Sequence, residues 1–143
     1  MPGPGRCPID FALDVFGDRR TLLVIRDLIF AGKRHFRELI QSPEGIATNI
    51  LAARLKKLEA SGIISRHPDP ENRRQVVYEL TEKGLDLLPI LIETVLWGAK
   101  YDPKTGAPKG TISRMRNNRD EVVNEITAAL KQRRAQLVAK RQT

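Results

Sequence analysis

Four residues at helical spacing, Thr48, Asn49, Ala52 and Lys56, share one side of the stretch from Ile46 to Ser61. Their types suit the edges of nucleic-acid bases. Asparagine can make two hydrogen bonds to adenine, threonine bonds either base type or touches a thymine methyl, and alanine allows close apolar approach. Cations suited to phosphate surround them: Lys33, Arg34 and Arg37 upstream, Arg73 and Arg74 downstream. Each of these side chains, taken singly, reads as solvated surface. Their joint placement around one motif carries the argument.

Covalent and metal chemistry have less to work with. One cysteine, Cys7, and two histidines, His35 and His67, give no metal-ligand spacing. No glycine-rich phosphate loop can be placed, and no serine–histidine–aspartate set. The acidic pair Asp69 and Glu71 falls in a polar loop. No catalytic residue, metal or cofactor is expected, and the chain does not read as an enzyme.

The elements that must position these side chains follow from apolar spacing. A short helix is expected over Ile9 to Phe16, ended by Gly17, and Asp18 can cap the next, whose stripe is Leu22, Leu23, Ile25, Leu28 and Ile29. A third helix is expected over Arg34 to Gln41, stopped by Ser42-Pro43-Glu44-Gly45. In Ile46 to Ser61, Leu51, Leu55 and Leu58 form the apolar side and Gly62 the stop. Two β-segments, Ile63 to Arg66 and Gln75 to Leu80, flank a polar, proline-punctuated loop and make a hairpin. A helix from Thr81 to about Trp97 is apolar almost all round, and a second subunit is the simplest cover for its far side. Residues 99–110 read as a linker and 111–143 as a basic helical extension. That extension could dock on the core, pair with its twin or reach DNA through Arg114, Arg116, Arg119, Arg133 and Arg134; docking is favoured, because Arg119 and Arg133 interrupt a coiled-coil seam.

Charge fits this picture. There are 25 basic and 17 acidic side chains, a net charge of +8. A polyanion is a natural partner, though acidic membranes and proteins attract the same charge. Residues 111–143 hold 8 of the basic and 3 of the acidic groups, over half of the excess. A single cysteine forbids an intrachain disulfide, the opening residues lack a signal-like apolar core, and no apolar run approaches a membrane span. A cytoplasmic protein without a membrane partner is expected.

From Cys7 to Gly98 the chain resembles the HxlR-type winged helix-turn-helix regulators. The resemblance rests on Cys7-Pro8, Gly17, Leu22-Leu23, the run Gly32 to Leu39, Gly45-Ile46, Leu51, Leu55 to Glu59, Gly62 to Ile64, Tyr78 to Gly84 and Trp97-Gly98. The loop Asp69 to Arg74 resembles the wing of MarR-type regulators. The resemblance implies a mainly α fold with a winged helix-turn-helix over residues 1–98, a two-stranded wing and flanking dimerisation helices. It implies a homodimer built from the first and last core helices, here Ile9, Leu13, Leu88, Leu91, Ile92, Val95 and Leu96. It also implies binding to a double-stranded DNA operator. The leading reading is sequence-specific binding to a two-fold operator, as a repressor, though the sequence itself does not give the sign of regulation. The alternative is a winged-helix protein-interaction module without specific DNA binding. Relatives of this type use a cysteine matching Cys7 to sense oxidants or electrophiles, so an oxidant or a small molecule is a candidate signal. Arg6 and a helix start at Pro8 would favour the thiolate; packing of Cys7 near the dimer interface is the plainer reading. Two departures stand out: Arg20 where the family has a tryptophan, and Ala47 where it commonly has a capping serine.

Overall fold

The computed structural model describes residues 5–142. The chain forms two compact units, one ending at Thr81 and one beginning at Glu82. The first holds α1 (Pro8–Phe16), α2 (Arg19–Ile29), α3 (Phe36–Leu39), α4 (Thr48–Ala60), β1 (Ile64–Pro68) and β2 (Val76–Leu80). This is the winged helix-turn-helix order.

Asp18 starts α2 as expected, its carboxylate accepting the Thr21 N–H at 3.0 Å. Val24, Ile25, Leu28 and Ile29 of α2 are buried, as are Leu51, Leu55 and Leu58 of α4, and the two helices pack together. Each fully buried leucine is worth about 1.5–3 kcal/mol, enough to fix the rotation of α4 about its axis. Gly62, with φ 77°, turns the chain out of α4 in a conformation that disfavours other residues. The strands then pair antiparallel from Ile64↔Leu80 to Pro68↔Val76, with Val77 buried.

The third helix is shorter than its apolar pattern suggests. It spans Phe36–Leu39 only, because His35 is extended, with φ -112° and ψ 150°, and the Arg34 carbonyl accepts the Tyr78 N–H of β2 at 2.8 Å. His35 then takes the N-cap place, with its backbone N–H donating to Glu38 Oε1 at 3.0 Å.

The second unit holds α5 (Glu82–Leu85), α6 (Leu88–Tyr101), α7 (Lys109–Asn117) and α8 (Arg119–Arg141). The single helix expected from Thr81 to Trp97 is thus two. Pro89 lies in the first turn of α6, where its missing N–H costs nothing, but its ring would clash with a continuous turn before it. At the other end α6 runs on to Tyr101, which narrows the connection to residues 102–108. The extension is also two helices, joined at Asn118, and α7 packs against both α6 and α8.

The expected dimer face needs correction. Leu88, Leu91 and Ile92 are no more than 5% exposed, covered by the chain itself. Exposed instead on α6 are Ile90, Trp97 and Tyr101, while Val95 and Leu96 are half-buried. A helix apolar all round carries no phase in its sequence, so the inner and outer faces could not be told apart. On α1, Ile9 and Leu13 are exposed as expected, and Phe11 joins them. Among the described residues no helix is long and apolar enough to cross a membrane.

Candidate nucleic-acid interface

Helix α4 presents Thr48, Asn49, Ala52 and Lys56 to solvent, with Leu51, Leu55 and Leu58 behind them. All four predicted base-reading residues therefore share one open face. Ala47 is the N-cap and makes no side-chain cap, so the first N–H groups of α4 are free of a competing side-chain acceptor. A helix start of this kind favours a phosphate oxygen.

The turn before α4 is clamped to α2. Arg26 grips Glu44 through both carboxylate oxygens, at 2.6 and 2.8 Å, and also reaches Ser42 at 2.9 Å. The Arg26 hydrogen bonds hold the Glu44 carboxyl at about 2, well below its usual range. Arg20 donates to the Gly45 carbonyl, and Gly45 adopts φ 72°. Arg20 is half-buried and serves the turn, so the place of the family tryptophan is taken by a polar tie. Arg54 of α4 reaches Asp18 at 2.8 Å, and that bond, with the Thr21 backbone N–H, holds Asp18 at about 2. None of these clamps was expected. The charged residues were visible in the sequence, but their partners lie 18 to 36 residues away.

One histidine joins the helix-turn-helix to the wing. His35 Nδ1 lies 2.8 Å from Glu38 and Nε2 lies 2.9 Å from Asp69, the buried residue that opens the wing loop. Both nitrogens can donate together only as an imidazolium. Asp69 also accepts the Glu71 N–H at 2.9 Å, and these bonds hold its carboxyl below the usual range. Burial pushes the Glu38 carboxyl up, yet the His35 ring and the backbone N–H groups of Arg34 and His35 outweigh it and bring it down.

The predicted phosphate-facing cations divide. Arg37, Arg73 and Arg74 are exposed, and their guanidinium groups have no carboxylate partner among the described residues. Arg34 is half-buried near Asp69. Lys33 is a correction: its Nζ lies 3.6 Å from the buried Asp27, which removes it from the phosphate set. Arg66 on β1 is exposed in the same manner as the wing-tip pair and was missed. Arg66 ends the β-segment expected over Ile63 to Arg66, so its charge was visible in the sequence as part of a strand rather than of the basic loop.

Cys7 is exposed and is the N-cap of α1, its carbonyl accepting the Phe11 N–H at 3.0 Å. Arg6 turns away to Asp10, at 2.8 Å, and to Asp14. The expected help from Arg6 to the thiolate is thereby spent on carboxylates.

Residues 15–105 match the family model described as HxlR-like helix-turn-helix. The chain belongs to this family. Among curated proteins, this HxlR-like chain is 38% identical over 86 residues to the HTH-type transcriptional regulator sll1512 of Synechocystis sp., covering 60% of the chain and 63% of the relative. It is 33% identical over 100 residues to YodB of Bacillus subtilis, covering 69% and 88%. The match spans less than two thirds of the length of sll1512 and of a Mycobacterium tuberculosis regulator, 60% in the latter case. Among solved structures it is similar to the transcription factor PA1607, with TM-score 0.65, 36% identity and 73% of each chain covered. It is also similar to the oxidised redox regulator HypR, with TM-score 0.57, 33% identity, and 67% and 98% covered. The winged helix-turn-helix fold is thus shared with transcriptional regulators.

Proposed function

We propose that this HxlR-like chain is a sequence-specific DNA-binding transcriptional regulator, a repressor, acting as a homodimer on a two-fold operator. The observation that carries the proposal is the exposed row Thr48, Asn49, Ala52 and Lys56, held from behind by buried leucines and flanked by Arg37, Arg73 and Arg74, which have no carboxylate partner among the described residues. Bases would be read in the major groove by the row, while the arginines meet phosphates. The second copy would cover exposed apolar side chains of α1 (Ile9, Phe11, Leu13) and of α6 (Ile90, Trp97, Tyr101).

The test is a DNA selection followed by salt-titrated gel shifts. Asn49→Ala should lose about 1–3 kcal/mol on the selected operator and little on random duplex. Equal losses on both would remove Asn49 from base reading, and binding indifferent to ionic strength would favour the protein-interaction reading. For the dimer, Trp97→Arg should give a monomer by light scattering.

A thiol signal is a second reading, supported by the exposure of Cys7 at a helix N-cap and by relatives described as a redox regulator and as quinone-bound or diamide-treated. Mild oxidant should change operator affinity in the native protein and leave Cys7→Ser unaffected. The same response in both would exclude the cysteine.

A further inference from the structure

Neither base reading nor phosphate contact uses His35, yet its ring is set between carboxylates from two parts of the first unit. Nδ1 lies 2.8 Å from Glu38 of α3, and Nε2 lies 2.9 Å from Asp69 of the wing loop. The contact to Asp69 spans 34 residues of chain, and both partners are sheltered, their side chains 13% and 10% exposed. A neutral imidazole has one N–H, so one of the two carboxylates would then face a lone pair. Either tautomer breaks one contact and strips the charge from the other. Only the protonated ring answers both.

The far end of this bridge is the loop that carries Arg73 and Arg74. Asp69 accepts the Glu71 N–H at 2.9 Å, and the Asn72 side chain accepts the Arg74 N–H at 3.2 Å. The Asp69 N–H donates to the Gln75 carbonyl, and the Gln75 N–H to the Asn72 carbonyl, both at 2.9 Å. Residues 69–75 are thereby braced among themselves and move as one piece. The hairpin beneath is held separately, by the Tyr78 N–H on the Arg34 carbonyl at 2.8 Å. Loss of the His35–Asp69 bond would leave hairpin and loop intact and free the angle at which the loop stands to α3.

We propose that His35 is a positioning residue whose imidazolium aims the wing loop so that Arg73 and Arg74 meet the DNA backbone, and whose deprotonation releases them. The DNA half rests on the function proposed above. Charged and titratable groups surround the ring: Glu38 and Arg37 from α3, Arg34 before it, Asp69 from the loop, and Arg66, Arg74 and Tyr78 from the hairpin. The cations oppose an added proton; the two carboxylates, in hydrogen-bond contact, favour it. Both carboxyls are held below their usual range and stay ionised above about pH 5.5. Arginine and tyrosine ordinarily keep one charge state from there to about pH 8, where histidine changes its own. The doubly bonded ring belongs to the low end of that range, so duplex affinity should fall as pH rises.

Gel shifts of the full chain on its selected operator, at fixed ionic strength, test this. Affinity should fall about tenfold between about pH 6 and 8, the loss expected of one charge-assisted bond. The log–log salt slope should shrink by up to about 2 as the two arginines lift away. His35→Gln should bind at pH 6 as weakly as the native chain does at pH 8, with a flat profile. His35→Arg, charged throughout, should stay tight at pH 8. His67→Gln, whose ring meets Ser65 at 3.1 Å, should keep the native profile. A flat native profile, or a native-like profile in His35→Gln, would overturn the proposal. NMR of the native chain without DNA decides the bridge even if His35→Gln fails to fold. Both ring nitrogens should carry protons at about pH 6 and one at about pH 8, with the backbone amides of Arg73 and Arg74 shifting on the same curve. Amides that ignore the ring would overturn the coupling. If the chain binds no DNA at any pH, the proposed function fails while the NMR titration still decides the bridge.

Discussion

In the unit ending at Thr81, Arg37, Arg66, Arg73 and Arg74 stand without carboxylate partners among the described residues. In the unit beginning at Glu82, where most of the excess positive charge lies, the arginines are occupied. Arg114 bonds Glu121 and Glu125, Arg119 pairs with Glu93, and Arg134 and Lys131 share Glu82. Arg116 is an exposed exception. Counting charges along the chain therefore does not find the cations that stand unanswered. A phosphate is attracted by a cation that is not already answered, and the more basic unit has fewer of these in proportion.

The two units also differ in what their ion pairs do for stability. The first contains a pair set against a buried carboxylate: Asp27 has a side chain 5% exposed and lies 2.8 Å from Arg26. Breaking it should give the largest effect. Arg26→Ala strands Asp27 with only the longer Lys33 pairing and releases the Glu44 turn, at a cost of about 3 kcal/mol. Urea unfolding monitored by circular dichroism measures it. A loss under about 1 kcal/mol would mean that the clamp is as weakly coupled as a surface pair.

Next in size is a test of the charge contrast itself. Replacing Arg73 and Arg74 together by alanine should weaken binding to any duplex and lower the log–log salt slope by about 2, near 0.9 for each phosphate no longer neutralised. Replacing Arg114 and Arg119 should leave the slope where it was, because each already has a carboxylate partner. Slopes that fall alike in both variants would return the tail to the DNA surface.

How much of this could be read before folding depends on the range of each interaction. Helix α4 was legible because Leu51, Leu55 and Leu58 repeat at helical spacing and Gly62 marks the end. The wing was legible from two β-rich runs around a proline-punctuated loop. The exposed face of α4 follows from the same leucines, which is why Thr48, Asn49, Ala52 and Lys56 could be assigned to one open side. What failed was non-local or without phase. Lys33 looked like a free cation because Asp27, its partner, is buried only once α2 packs. The shortening of α3 depends on a hydrogen bond from Tyr78, far along the chain. The outer face of α6 had too few polar residues to mark it.

Acid should separate the units further. A carboxyl whose folded pKa is depressed stabilises the fold fully above its unfolded value, 3.8 for Asp18 and 4.5 for Glu44, and ceases to as pH falls through its folded value of about 2. The clamps of the first unit should therefore hold at pH 5 and weaken between about 4 and 2. Glu44→Gln should remove part of that slope while lowering stability at neutral pH, as read by urea midpoints across the range. An unchanged slope would show that the turn clamp does not couple to folding.

The smallest effect belongs to the tail. Glu82 is exposed and pairs with Lys131 and Arg134, both at 3.3 Å. Water and salt screen such a pair, and two long cationic side chains lose rotamer freedom to hold it. Both cations pull the Glu82 carboxyl below its usual range, which shows attraction but not a net gain in folding once that entropy is counted. Glu82→Gln should leave the urea midpoint within error and should not raise DNA affinity, since one freed Lys131 is a single mobile charge. A clear drop in stability would mean that α8 depends on these surface pairs as α2 depends on Arg26. The contrast between the units would then concern burial alone and not the use of charge.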